Sequence, residues 1–204
     1  MTENQPVLPI FDSIEYLEKQ NNFSYLSDDY NLQDIKQAQM FLKSYKGSLG
    51  TFNAYRREIE RLIQWCALIT KKALKDLKRD DIERYIEFCQ KPPKQWIGTH
   101  KPSRFIRQEA IRVPNPEWKP FIATLSKSSH RKGERPTLKD FEFSQVALKQ
   151  LFAIIGSFYN YLLQEGVLGA KPIIFRFHYY YQIIMLVIHL IIEKLFCVAE
   201  GALP

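Results

Sequence analysis

Cysteine is scarce and scattered. Cys66, Cys89 and Cys197 form no Cys-x-x-Cys pair and keep no metal-ligand spacing with histidine, which excludes a disulfide- or zinc-stapled scaffold. Dispersed thiols of this kind imply buried, free side chains in a reducing, cytoplasmic setting. The opening MTENQPVLPIFDSIEYLEK lacks a basic start and an apolar run, so a secretory signal is not expected. No run of alternating apolar and polar residues, the mark of a half-buried strand, reaches a useful length before residue 172. No internal repeat is visible. No cofactor or metal is expected.

What is present is apolar and basic. Hydrophobic residues make up 46% and aromatics 14% of the 204 residues. That is enough to bury the core of one large domain, and it excludes a disordered acidic or mucin-like chain. The net charge of +7 is local. Between Lys91 and Arg135 stand eleven Lys or Arg against three acids, Glu109, Glu117 and Glu134, a balance of +8. The rest of the chain holds eighteen bases and nineteen acids. Positive charge concentrated in one segment favours a polyanionic partner, most often nucleic acid. The plain alternative is a solvated, lysine-rich loop.

Residues 1–30 read as a polar, patternless, loose N-terminal arm. From Asn31 a helical period begins: Ile35, Ala38, Leu42 and Tyr45 make one apolar stripe, which Gly47 and Gly50 end. A second helix restarts at Thr51, whose hydroxyl suits a cap. Its buried face is Phe52, Tyr55, Ile59, Leu62, Ile63, Cys66 and Ile69. Its wet face is Asn53, Arg56, Arg57, Glu60, Arg61 and Gln64, with Arg57, Arg61 and Gln64 aligned along the surface. A helix N-terminus next to arginines suits a phosphate, so Thr51, Asn53, Arg56, Arg57 and Arg61 are candidate contacts. Each also has a bland reading, as cap or solvated surface. A third helix follows ITKKALKDLKRDD. Asp80 and Glu83 resemble its capping box, Ile82, Tyr85, Ile86 and Cys89 form its apolar side, and Pro92-Pro93 ends it.

Residues 91–137 hold Pro92, Pro93, Pro102, Pro114, Pro116, Pro120 and Pro136 and read as extended loop. Trp96, Phe105, Trp118 and Phe121 are interleaved with its positive charges. They either stack on nucleic acid or, more commonly, tether the loop to the core. Lys94, Lys101, Arg104 and Arg107 are the phosphate candidates here, on local charge density. Ser144 opens the last clear helix, with Leu148, Leu151, Phe152, Ile155, Phe158, Tyr159 and Leu162 on one stripe and Glu165-Gly166 at its end. The expected body is all-α: four or five helices with one long basic insertion.

Four stretches, in order, resemble the core-binding domain of phage-type integrases, the tyrosine recombinases. TFNAYRREIERLIQWC is similar to that domain's second helix, and ALKDLKRDDIERYIEFCQKP to the next. NPEWKPF resembles a Trp-x-Pro-Phe element of some members. SQVALKQLFAIIGSFYNYLLQEGVLGAKP resembles the closing helix and its exit, with Lys171-Pro172 where Asn-Pro is usual. The resemblance spans residues 31–172. It implies a SAM-like helical bundle forming half of a clamp around double-stranded DNA. Family members cut DNA with a tyrosine nucleophile, and two arginines, a lysine and histidines stabilise the transition state.

The chain departs from that pattern after Pro172. Only 32 residues remain, and none resembles the catalytic domain. His100, His130, His178 and His189 all lack an arginine three positions on, and Tyr179, Tyr180 and Tyr181 have no such clamp. The expectation is a DNA-binding fragment without catalytic residues. Residues 177–192 contain no Asp, Glu, Lys or Arg. A spanning helix needs about 20 residues; a shifted reading frame is the favoured account of the tail at 173–204, because composition changes abruptly where the resemblance stops, and a genuine apolar helix docking on the bundle or a second copy is the remaining one. A tail this apolar would invite self-association. The alternative function is a helical protein anchored to a membrane by the tail, its basic loop on anionic lipid.

Overall fold

A computed structural model describes residues 6–45, 47–109 and 111–168. The tail at 173–204, with Cys197 and the three consecutive tyrosines, lies outside the described residues, and so does every expectation placed there.

Five helices carry the fold. Helix α1 runs Leu32–Lys43, and the Asn31 side chain accepts from the amides of Gln33 and Asp34. Helix α2 runs Leu49–Trp65, α3 Arg79–Gln90, α4 Lys127–Arg131 and α5 Gln145–Gln164. The long helices α2 and α5 pack on each other, and α1 packs on both. The α5 stripe lies buried along its whole length, with Ser144 as its cap. Gly166 follows it at φ +67°, where a side chain would be strained.

Several local expectations are corrected. Ser48, not Thr51, caps α2: its hydroxyl accepts from the Thr51 amide at 3.4 Å, and Thr51 sits inside the first turn. Gly50 therefore lies within the helix. At α3 the acid at the third helical position is Asp81, whose carboxylate takes the Lys78 amide at 2.9 Å. Glu83 instead pairs with Arg79. Ile69 is 47% exposed, because α2 widens into a π-turn over Cys66–Thr70 that rotates the stripe before Lys71 closes it in the left-handed region.

The expectation of an all-α body is also overturned: the described residues are mixed, 49% helical and 8% strand, with a parallel and an antiparallel sheet. Strand β1 (Ile97–Gly98) pairs in parallel with β4 (Phe121–Ile122). Strand β2 (Phe105–Gln108) pairs antiparallel with β3 (Ile111–Pro114). Strands of two and four residues are too short to show a period, and the sequence between β2 and β3 carries none of the usual Asn-Gly or Gly signals. The ladder β1–β4 is close-packed: a Cβ at Gly98 would sit 3.1 Å from Ile122 Cδ1 and 3.3 Å from Lys119 Cβ. Trp96, Phe105, Trp118 and Phe121 are all buried, so the aromatics of the insertion tether it to the core.

The N-terminal stretch is not a loose arm. Val7, Ile10, Phe11, Leu17, Phe23 and Tyr30 are core residues. Gln39, buried on α1, donates to the carbonyls of Leu17 and Gln20 at 2.8 and 2.6 Å.

Asp81 carries a pH-dependent share of stability. Its buried carboxylate takes Lys72 Nζ at 2.8 and 2.9 Å and also contacts Arg84. Lys72 foremost, opposed by desolvation and helped by the Lys78 amide and Arg84, holds its pKa at about 2. The folded value lies below the unfolded one of about 3.9, so the stabilisation is complete above that pH and is lost as pH falls toward 2. Urea titrations at pH 7, 4, 3 and 2 are expected to show Asp81→Asn converging on the parent as the pH drops. A stability gap that stays constant down to pH 2 would refute this linkage.

Candidate nucleic-acid interface

The polar face of α2 is buried from Glu58 onward, while Asn53 and Arg57 near its start stay exposed. Every residue from Glu58 to Ala67 is buried, including Glu60, Arg61 and Gln64. The extended segment 8–12 has no strand partner, so its backbone groups need other ones. That face of α2 supplies them. Glu60 Oε1 accepts from the amides of Ile10 and Phe11 at 2.5 and 3.1 Å. Gln64 Nε2 donates to the Leu8 carbonyl at 2.8 Å, and Arg56 Nη1 to the Asp12 carbonyl at 2.6 Å. The face that resembles a solvated surface in sequence is an internal docking rail.

Arginines from the insertion join this cluster. Arg104 pairs with Glu60 Oε2, donates from Nε to the Phe11 carbonyl at 3.1 Å, and stacks 4.4 Å from the Trp118 ring centroid. Arg112 grips Asp12 with two bonds, 2.5 and 2.7 Å. Two carboxylates thus face Arg56, Arg104 and Arg112. Burial first, and the Arg104 charge next, push Arg56 down to about 10, still protonated at neutral pH. Arg61 is held by Glu58 at 3.1 Å, by the Pro120 carbonyl at 2.8 Å and by the Phe121 ring at 4.3 Å.

The nine candidate contacts therefore fall into two groups. Arg56, Arg61 and Arg104 are spent on internal acceptors. Sequence reasoning placed them outside because it could not see Asp12, Glu58 and Glu60 beside them. Thr51 shares a hydrogen bond with Ser48 Oγ at 2.8 Å, and Asn53 Oδ1 accepts from Arg56 at 2.8 Å. Arg57, half-exposed, touches Glu58 at 2.6 Å and Gln150 at 3.2 Å.

Lys94, Lys101 and Arg107 are exposed. Lys94 opens the 3-10 turn that leads into β1, and Lys101 follows β1 by three residues. Lys91, Lys127, Arg131, Lys132 and Arg135 are likewise exposed. None of these eight, nor Lys119, has a carboxylate partner among the described residues. The excess charge of the insertion is therefore presented to solvent, whereas Arg104 and Arg112 are each paired with a buried carboxylate.

Cys66 and Cys89 are free and buried, and burial drives both thiols up, Cys89 to about 12. Among the described residues no group of three or more His, Cys, Asp or Glu could hold a metal ion. Helix α5 is long and apolar enough to cross a membrane, yet its apolar stripe forms the core against α1 and α2. No family model, no curated protein and no solved structure matches the chain.

Proposed function

We propose that this protein binds double-stranded DNA through the exposed cations of its insertion, as the core-binding half of a site-specific recombinase of the tyrosine type, and does not itself cut. The observation that carries the reading is the division of labour among its bases. Arg56, Arg61, Arg104 and Arg112 hold the fold, while Lys94, Lys101, Lys127, Arg131, Lys132 and Arg135 are exposed without a carboxylate partner. A solvated loop would more commonly intersperse acids to balance such a surface. The order of the four stretches similar to integrase core-binding domains supports duplex DNA as the polyanion. The membrane reading rests on residues 173–204 and gains no support from the described fold.

The test is fluorescence anisotropy of a labelled duplex titrated with the full-length protein across a salt series. Affinity is expected to fall steeply with salt, by a slope of about 0.9 per phosphate contact. Replacing Lys94, Lys101, Arg131 and Lys132 together by alanine is expected to weaken binding at least tenfold and to flatten the slope by about 3. No binding at about 50 mM salt, or a slope unchanged by the fourfold substitution, contradicts the reading. A duplex that traps covalent intermediates is expected to yield no adduct.

A further inference from the structure

We infer that the β2–β3 hairpin is the element that reads DNA sequence, entering the major groove tip first. The inference rests on the DNA-binding reading above and names the part of the protein that supplies base recognition. Phosphate contacts give affinity and register, but sequence is read by side chains that reach base edges. Arg can pair with guanine through its rigid planar fork and Gln with adenine, with apolar groups on the thymine methyl, whereas a lysine ammonium is a flexible point charge with no acceptor.

The hairpin concentrates those residue types at an exposed end. In its register Arg107 faces Arg112 and Gln108 faces Ile111. Arg107 and Gln108 are exposed, and Ile111 is 65% exposed although apolar. Arg107 Nε donates to the Glu109 carbonyl at 3.2 Å, which steadies the turn, and its terminal nitrogens have no partner among the described residues. Gln108 likewise has none.

The other end is fixed. Phe105 is buried, with its ring edge-on to Tyr25 at 6.3 Å. Asn115 closes the base by donating from its amide to the Arg104 carbonyl and from Nδ2 to the Ser103 carbonyl, both at 2.8 Å. Arg104 on Glu60 ties the start of β2 to α2, and Arg112, opposite Arg107, ties β3 to Asp12 of the N-terminal segment. A pair of four-residue strands is about 13 Å long with strands about 5 Å apart. A ribbon of that size fits a groove about 12 Å wide. The fixed base explains why so many buried charges surround a short hairpin: a reading head must not move relative to the phosphate contacts.

Selection from a pool of randomised duplexes by the full-length protein tests the inference. The protein is expected to enrich a sequence and to bind it more tightly than its shuffled version. Arg107→Ala, and Gln108→Ala with Ile111→Ala, are expected to lower that affinity ratio about tenfold or more. Lys94→Ala with Lys101→Ala lowers both affinities together and leaves the ratio. Gln108→Lys adds charge but removes the acceptor, so it is expected to tighten binding to shuffled duplex while still losing discrimination, a result that misfolding cannot mimic. If the protein binds duplex but enriches nothing, or if the tip variants keep the parent's ratio, the hairpin inference fails and DNA binding stands. If the parent binds no duplex at low salt, both fail.

Discussion

A chain that lacks residues 1–30 is expected to remain unfolded. Read from sequence, that stretch is dispensable. In the fold, it supplies Val7, Ile10, Phe11, Leu17, Phe23 and Tyr30 to the core. Burying a side chain of this size stabilises by about 1.5–3 kcal/mol, so the six together contribute on the order of 10 kcal/mol. A domain's whole stability is about 5–15 kcal/mol. The loss does not stop at apolar area. Without segment 8–12, Glu60 and Gln64 lose the backbone groups they hold, and buried polar atoms stripped of partners cost about 1–3 kcal/mol each. Far-UV circular dichroism and a thermal melt of the truncated chain decide the matter. A cooperative transition within a few degrees of the full-length protein would show that the segment is an accessory after all. The same argument requires that DNA binding be measured on the intact chain.

How far the sequence could be read depended on where each residue's partners lie. The α5 helix was legible because Leu148 through Leu162 recur at helical spacing, with a capping serine before them and a glycine after. Residues 7–30 were not: Val7, Ile10, Phe11 and Leu17 stand at helix-like spacing around Pro9, yet the backbone there is extended and turning, so the spacing does not report how they are buried. The outer face of α2 was misread for a related reason. Periodicity registers that Glu60, Arg61 and Gln64 are polar. It cannot register that their partners, Leu8, Ile10, Phe11 and Pro120, lie about fifty to sixty residues away in sequence. The four short strands fell below the length at which alternation can be recognised. Of the candidate site, the charge density of the insertion was legible and its exposure follows in the fold. Which arginines are free was not, since Arg104 and Arg107 stand three residues apart and do opposite things.

Glu60→Ala is expected to destabilise the protein by about 3–5 kcal/mol, the usual cost of breaking a buried ion pair from one side. Glu60 is fully buried and serves three donors at once: the amides of Ile10 and Phe11 through one oxygen and Arg104 through the other. Removing it strands two backbone amides and a largely buried guanidinium. Glu60→Gln keeps an acceptor for the two amides but no charge for Arg104, so its cost should be smaller and should come mainly from Arg104. Arg104→Ala with Glu60→Ala should cost less than the sum of the single changes by about 1–3 kcal/mol, because neither charge is then left alone. Urea unfolding of the parent, the three single variants and the double variant measures all three quantities. A loss below about 1 kcal/mol for Glu60→Ala, the ordinary scale of a surface pair, would mean that the segment and the hairpin do not depend on this carboxylate. A large loss with strong coupling would identify Glu60 as the point where the N-terminal segment, the central helix and the base of the hairpin are held together. The proposed role of the hairpin in reading DNA requires that connection, because its exposed tip can hold a fixed register on the duplex only if its base is immobile.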